Sequence, residues 1–267
     1  MKGLADLYLQ QLKTGVASML QYRATLVIWL IGNVLEPLVY LVVWSTVARS
    51  TGGNVGGYGA RDFAAYYIVL MLVNQVTFTW VMYEFDYRIR EGAFSADLLH
   101  PVHPIHADIA TNLSSKVVNL PFIMAAAAGL AVIFHPALKL TPLAVAAFVP
   151  ALVLAFLVRF LVDWTVALAA FWTTRVTAIN QIHYMAVLFF SGQIAPLTVL
   201  PRPLQVVATV LPFRWTIGFP VELLLGRLTP GQVLTGFAVQ AAWLLAAALL
   251  VKFAWRASVK RYSAVGA

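Results

Sequence analysis

Of 267 residues, 61% are hydrophobic and 10% are charged, against about 25% charged in an average soluble domain. Such a chain cannot cover a water-facing surface and reads as an all-α integral membrane protein. The absence of cysteine excludes disulfides, thiolate nucleophiles and sulfur-ligated zinc or iron–sulfur sites. A formal charge of +8 would point a soluble protein toward nucleic acid, but here Lys and Arg of cytoplasmic loops explain it and no nucleic-acid partner is expected.

Residues 4–20 place Leu4, Leu7, Tyr8, Leu12, Val16, Met19 and Leu20 at spacings of three and four, with Asp6, Gln10, Lys13 and Thr14 opposite. That pattern predicts an amphipathic interfacial helix within 1–23. It is not a cleaved signal, because the apolar run begins only after Arg23, exceeds a signal's apolar region and ends without a small-residue cleavage site. Apolar runs able to cross about 30 Å of hydrocarbon follow at 24–47, 63–84, 112–134, 142–170, 181–199 and 231–254, giving six expected spans. TGGNVGGYGARD (51–62) is a polar loop, and its glycines are a spacer rather than a phosphate cradle. Segment 85–108 is the long polar stretch between spans two and three. Segment 193–230 is apolar but broken by Pro196, Pro201, Pro203, Pro212, Pro220 and Pro230, which predicts short external re-entrant helices before the last span.

Positive charge sets the expected orientation. Lys2, Lys13, Arg23, Arg88, Arg90, Lys116, Arg175, Lys252, Arg256, Lys260 and Arg261 fall on the side holding both termini; Arg49, Arg61, Lys139, Arg202, Arg214 and Arg227 fall opposite. Both termini and 85–108 are therefore expected in the cytoplasm, with the chain multi-pass in the cytoplasmic (inner) membrane. Trp29, Trp44, Trp80, Trp164, Trp172, Trp243 and Trp255 lie mostly near span ends, as an aromatic belt does.

The chain has no GxxxxGK[ST] loop, no GxSxG elbow and no HExxH pair, so no catalytic residue, metal ligand or cofactor of its own is expected and energy from ATP must enter through a partner. Pro101 and Pro104 interrupt His100, His103 and His106, so no regular helix presents all three imidazoles on one face. His135 and His183 stand alone and are read as interfacial or packed side chains. Three charges lie within spans: Glu36 beside Pro37, and Arg159 and Asp163 four residues apart on one helix face. A helix-locking ion pair, Arg159 with Asp163 or with Glu36, and contact with substrate both fit them. In 85–104, Phe94, Leu98 and Leu99 can line one face of a short helix with Arg90, Glu91 and Asp97 around them, which fits either a lever for a soluble partner or a solvated connection.

Three stretches resemble the membrane subunits of type-2 ATP-binding-cassette (ABC-2) exporters. IREGAFSADLLHPVHP (89–104) is similar to that family's cytoplasmic segment after the second span. FFSGQIAPLTVLP (189–201) is similar to the end of its fifth span, and LPFRWTIGFPVELLLG (211–226) to its re-entrant segment before the last. FWTTR (171–175) resembles a subgroup whose ATPase serves two related permeases, whereas Glu36 and the His–Pro alternation depart from the pattern. The resemblance implies a single permease domain over 1–267, working with a second permease, identical or paralogous. It also implies two ATPase subunits that bind ATP and Mg, and a coupling helix near 89–100 whose contacts are Arg90, Glu91, Phe94 and Leu98. The implied activity is ATP-driven export of a hydrophobic or amphipathic substrate. A membrane-embedded lipid-modifying transferase, drawing on Asp86, Asp97, Asp108 and the three loop histidines, is the alternative, and an ion-driven carrier using Glu36 and Asp163 is another.

Overall fold

A computed structural model describes residues 2–138, 140–173 and 176–261. Lys139 and Arg175, counted above as loop charges, lie outside the described residues, as do Thr174 and the side chains of Lys2, Leu4 and Arg23. Among the described residues the chain is helical and has no strand; a single bridge, Val55 to Tyr58, closes the glycine-rich loop.

The helices are α1 (Lys2–Gln21), α2 (Arg23–Ser50), α3 (Ala60–Thr77), α4 (Val81–Arg90), α5 (Phe94–Leu99), α6 (Ile105–Phe134), α7 (Pro142–Ala167), α8 (Val176–Phe190), α9 (Arg202–Val210), α10 (Phe213–Thr216), α11 (Gly218–Leu224) and α12 (Pro230–Val259). Their ends follow local chemistry. The Thr141 hydroxyl accepts the Ala144 N–H at the start of α7, with Pro142 in the first helical position. At α12 the Thr229 hydroxyl accepts the Gln232 N–H while the Gln232 side chain accepts the Thr229 N–H, a capping box ahead of Pro230. Helix α4 stops at Gly92, whose φ of +69° turns the chain toward α5.

Five segments are long and apolar enough to cross a membrane: Val27–Ser50, Ala60–Arg90, Ile105–Phe134, Pro142–Phe171 and Pro230–Val259. The stretch expected as a fifth span, 181–199, instead forms the 15-residue helix Val176–Phe190. At 1.5 Å per residue that is about 22 Å, and the chain leaves the helix at Ser191 and Gly192. Gly192 has φ of +93°, outside the helical region, and its carbonyl accepts the Tyr66 hydroxyl at 2.8 Å. The helix of the third span begins at Ile105, seven residues before the expected start, because Pro104 sits at its N-cap. Lys116, counted above with the charges on the side of both termini, is therefore carried inside the bundle, 8% exposed.

Helix α3 is central. Phe63 through Met71 are all buried, so this helix meets protein on every side, between α2 and α6 with α7 and α11 behind. Helix α1 lies along α6, where a Cβ at Gly15 would stand 2.6 Å from the Ser114 hydroxyl and the Tyr8 hydroxyl meets His106 Nδ1 at 3.1 Å. Helix α12 runs beside α7, and the buried Gln240 amide donates to the carbonyls of Ala151 and Trp215 at 3.0 and 2.9 Å. Since lipid is as apolar as leucine, such close approaches and side-chain bonds hold spans together more than hydrophobicity does. Gly236 shows this most clearly, because any Cβ there would overlap the Phe219 ring. Gly236→Leu is expected to lower stability by about 1–3 kcal/mol, read as loss of the monodisperse peak on heating in detergent, whereas Gly129→Leu, where nothing lies within 4 Å of an added Cβ, leaves it unchanged.

Candidate functional site

The polar segment after the second span folds against the bundle through one cation. Arg88, near the end of α4, binds Asp97 of α5 through Nη1 at 3.1 Å and Asp108 of α6 through Nη2 at 2.7 Å. Its guanidinium lies 4.7 Å from the centre of the Phe85 ring and 5.8 Å from that of Phe94. Asp108 also accepts the indole N–H of Trp164 on α7 at 2.9 Å. One guanidinium thus ties α4, α5 and α6 together, and Asp108 carries the tie on to α7.

The four residues expected to contact a partner are not on one surface. Phe94 is fully buried, packed on Phe85, Phe171 and Trp255. It anchors α5 rather than facing outward, and Leu98, one turn on, turns toward the same core. Leu99 lies on the other side of α5 and is 87% exposed. Arg90 belongs to the last turn of α4 and pairs with Asp86 at 2.9 Å near solvent, an arrangement worth little. Glu91 is exposed at the turn before α5. Arg88 and Asp108 were missed as a pair; the sequence signal was a basic residue flanked by acids nine and twenty positions on, which no single helix brings together.

The loop histidines diverge. His103 packs between Trp255 and Trp164, with ring centres at 4.5 and 5.6 Å, and its Nδ1 accepts the Ile105 N–H at 3.2 Å. His106 faces Tyr8, and His100 is exposed. Among the described residues no group of three His, Asp or Glu could hold a metal ion. Burial, with the nearby His106, lowers the His103 pKa from its usual value.

A second polar cluster lies where the second span breaks. Between Thr77 and Val81 the chain leaves the helix, with Phe78 at ψ 140°. Lys116 of α6 donates to the Phe78 carbonyl at 2.9 Å. Arg159 of α7 donates to Asn74 and Thr77, each at 2.9 Å, and its Nε lies 4.0 Å from Asp163. Asp163 accepts the Thr79 hydroxyl at 2.6 Å and meets His183 of α8 at 2.8 Å, so His183 is part of a pair and does not stand alone. Of the two partners considered for Arg159, the structure selects Asp163. Glu36 is elsewhere, half-buried on α2, accepting a bond from Gln193 at 3.3 Å. The chain after α8 is held beside it by Trp44 and Tyr67, both donating to the Ile194 carbonyl, at 2.8 and 2.6 Å.

At the opposite end from α5, Arg227 pairs with Asp62 at 3.0 Å and lies 3.7 Å from the centre of the Tyr58 ring, closing α11 onto the glycine-rich loop. Burial raises the Tyr58 pKa, so this phenol stays neutral. Helices α10 and α11 are joined there by Arg214 and Glu222, 3.6 Å apart.

The profile of the ABC-2 family transporter proteins matches residues 34–266. The chain belongs to this family. It is a multi-pass membrane protein and a permease component of an ABC transporter. No curated protein matches the chain. For an ABC-2 permease the residues around Arg88 have a clear place, since they connect the segment outside the spans to three helices within them.

Removing that connection is measurable. Arg88→Met leaves Asp108 buried without its cation and is expected to destabilise by about 3 kcal/mol, with loss of amide protection over 93–104 in hydrogen exchange; Arg90→Met is expected to change stability by less than about 0.5 kcal/mol. The folded-state pKa of His103 is depressed, so on acidification the released segment takes up a proton that the docked one does not, and docking weakens as pH falls below about 6.5. Protection of 94–104 is expected to drop between about pH 7.5 and about pH 5.5, and His103→Gln to flatten the dependence.

Proposed function

We propose that the chain is the permease subunit of an ABC exporter in which a second permease, identical or paralogous, completes the pathway and two ATPase subunits bind ATP and Mg at the α5 end. In this reading residues 1–267 form one domain with both termini in the cytoplasm. The cytoplasmic membrane holds it, 85–108 is the coupling segment, 193–230 dips into the external face, and the cargo is hydrophobic or amphipathic. The observation that carries the reading is the construction of α5. It stands outside the spans, yet the buried Phe94 and the Arg88 bridge fix it to α4 and α6, while Leu99 and Glu91 remain exposed. A rigid short helix with an exposed apolar side chain at its end and an exposed carboxylate at the turn before it suits docking into a groove of a soluble subunit. Closure of the ATPase pair on ATP would push α5, and Arg88 would pass that displacement to α6 and, through Asp108 and Trp164, to α7.

Glu36, Arg159 and Asp163 then have separate roles. Arg159 and Asp163 lock the broken second span to α7, and Glu36 with Gln193 presents polar groups between α2 and the end of α8, where a pathway shared with a second permease would lie. The transferase alternative loses its acids in this geometry, because Arg88 occupies Asp97 and Asp108 and Arg90 occupies Asp86. Asp163, needed by a carrier, is engaged by Thr79 and His183.

Affinity purification of the tagged chain in mild detergent is expected to bring down a stoichiometric ABC ATPase. Replacing both Glu91 and Leu99 by Ala is expected to leave the chain inserted and folded while cutting ATPase stimulation about tenfold, roughly 1.4 kcal/mol of coupling. Isolation of a lone chain without ATPase, repeated across gentle detergents, would overturn the proposal.

A further inference from the structure

Two cavities meet beside the end of α1, and Met19 lines both. The larger, about 690 Å³, is apolar, with Ile31 and Leu35 of α2 facing Phe122 and Ala126 of α6. Ile31 and Phe122 are exposed on the surface of the bundle, so this cavity opens toward the hydrocarbon. The smaller, about 310 Å³, is of mixed polarity and is lined from α1, α2, α3, α4 and α6; Trp29, Asn33, Gln75, Trp80, Glu84 and Asn119 are among its residues.

These polar groups are under-used by the protein itself. Among the described residues the Glu84 carboxylate takes part in no ion pair or side-chain hydrogen bond, and the Asn119 amide has no partner. Asn33 and Gln75 touch only at 3.5 Å. Glu84 and Asn119 are part-exposed to the cavity, and Arg88, one turn on from Glu84, is the cation whose charge already acts on that carboxylate; polar groups that face a cavity inside a bundle are completed by water or a ligand. The surroundings of Glu84 narrow the ligand's chemistry. Trp29 meets Trp80 edge-on at 5.1 Å while Tyr83 stacks on one face of Trp80 at 4.4 Å, and indole rings that share a cavity lining with a carboxylate suit an ammonium group. Lys116 is the basic residue of the cavity lining, its Nζ held by the Phe78 carbonyl at 2.9 Å and lying 4.8 Å from the centre of the Phe156 ring. Along α6 the polar cavity ends at Asn119 and the apolar one begins at Phe122, so a ligand filling both has its headgroup toward the α5 end and its apolar body toward the bilayer centre.

We propose that the paired cavities bind an amphiphile from the leaflet on the α5 side, with a zwitterionic headgroup that sets an ammonium against Glu84 and the indoles and an anionic ester toward Lys116, as phosphoethanolamine would. The inference rests on the permease reading for its membrane setting and deepens it by naming a ligand class. The same chemistry serves a transported amphiphile or a resident phospholipid.

Native mass spectrometry of the purified chain with dioleoyl phosphatidylethanolamine and dioleoyl phosphatidylglycerol tests it, since the two differ only in headgroup. The ethanolamine lipid is expected to be retained about tenfold better, a difference of about 1.4 kcal/mol. Glu84→Gln is expected to remove the preference, and Ile31→Trp, which fills the lipid-facing cavity without touching the core, to weaken retention of both lipids. Equal retention of the two lipids by the unsubstituted chain, or an unchanged preference in Glu84→Gln, would overturn the proposal; if that variant fails to fold, the comparison of lipids and Ile31→Trp decide. Binding needs no ATPase, so lack of an ATPase partner would fail the permease reading while leaving this result standing. Transport without headgroup preference would fail this inference alone. In proteoliposomes containing the ATPase, ATP-dependent movement of labelled phosphatidylethanolamine to the far leaflet identifies cargo, and retention without movement identifies a resident lipid.

Discussion

Arg88 is the constraint on which the α5 end of the molecule depends. A six-residue helix has too few internal hydrogen bonds to persist alone, and α5 contributes one buried aromatic side chain of its own. What fixes it is a guanidinium that carries two hydrogen-bonded carboxylates from different helices, capped by two phenyl rings and extended through Asp108 to an indole. Charge pairing of this kind, partly withdrawn from water, is directional in a way that apolar contact is not. A displacement of α5 therefore reaches α6 and α7 without depending on the loop between α5 and α6.

The break in the second span obeys the same rule at greater depth. A span that interrupts its own hydrogen-bond ladder must find partners for the freed groups, because lipid offers none. Lys116 binds the freed Phe78 carbonyl, Arg159 gathers Asn74 and Thr77, and Asp163 holds Thr79 on the far side of the break. These partners come from α6 and α7, with His183 of α8 behind Asp163, so the break is held by three neighbouring helices. The two halves of the second span, buried core above and α5 connection below, meet at this joint. In the proposed transport cycle it is the place where inner and outer halves would change angle.

Much of the architecture was legible in the residues. Run length and composition located five membrane-length helices and the proline-rich segment announced short helices, whereas the coupling helix expected near 89–100 is interrupted at Gly92 and begins only at Phe94. The misjudged elements have physical causes. The run 181–199 is mostly apolar, yet its helix ends at Phe190, ahead of Gly192 at φ +93°, whose carbonyl is held by the Tyr66 hydroxyl from more than a hundred residues away. Lys116 counted with the charges on the side of the termini because the apolar run of its span begins at 112, whereas Pro104 starts the helix at Ile105 and leaves Lys116 well inside it. Phe94 looked like a docking residue because amphipathicity identifies a face but not which neighbour covers it.

What the sequence by itself determined is whatever depends on composition and local periodicity: an all-helical membrane chain, the order of its long helices, their caps, and the family motifs they carry. Tertiary structure alone decided which charge meets which. Arg159 chose Asp163 over Glu36, Arg88 gathered acids from two other helices, and Glu84 was left facing a cavity with tryptophans around it. The reason is that an ionic or hydrogen-bonded contact acts over a few ångströms, and whether two residues come that close is set by how the helices pack, whether they lie four positions apart, as Arg159 and Asp163 do, or twenty, as Arg88 and Asp108 do.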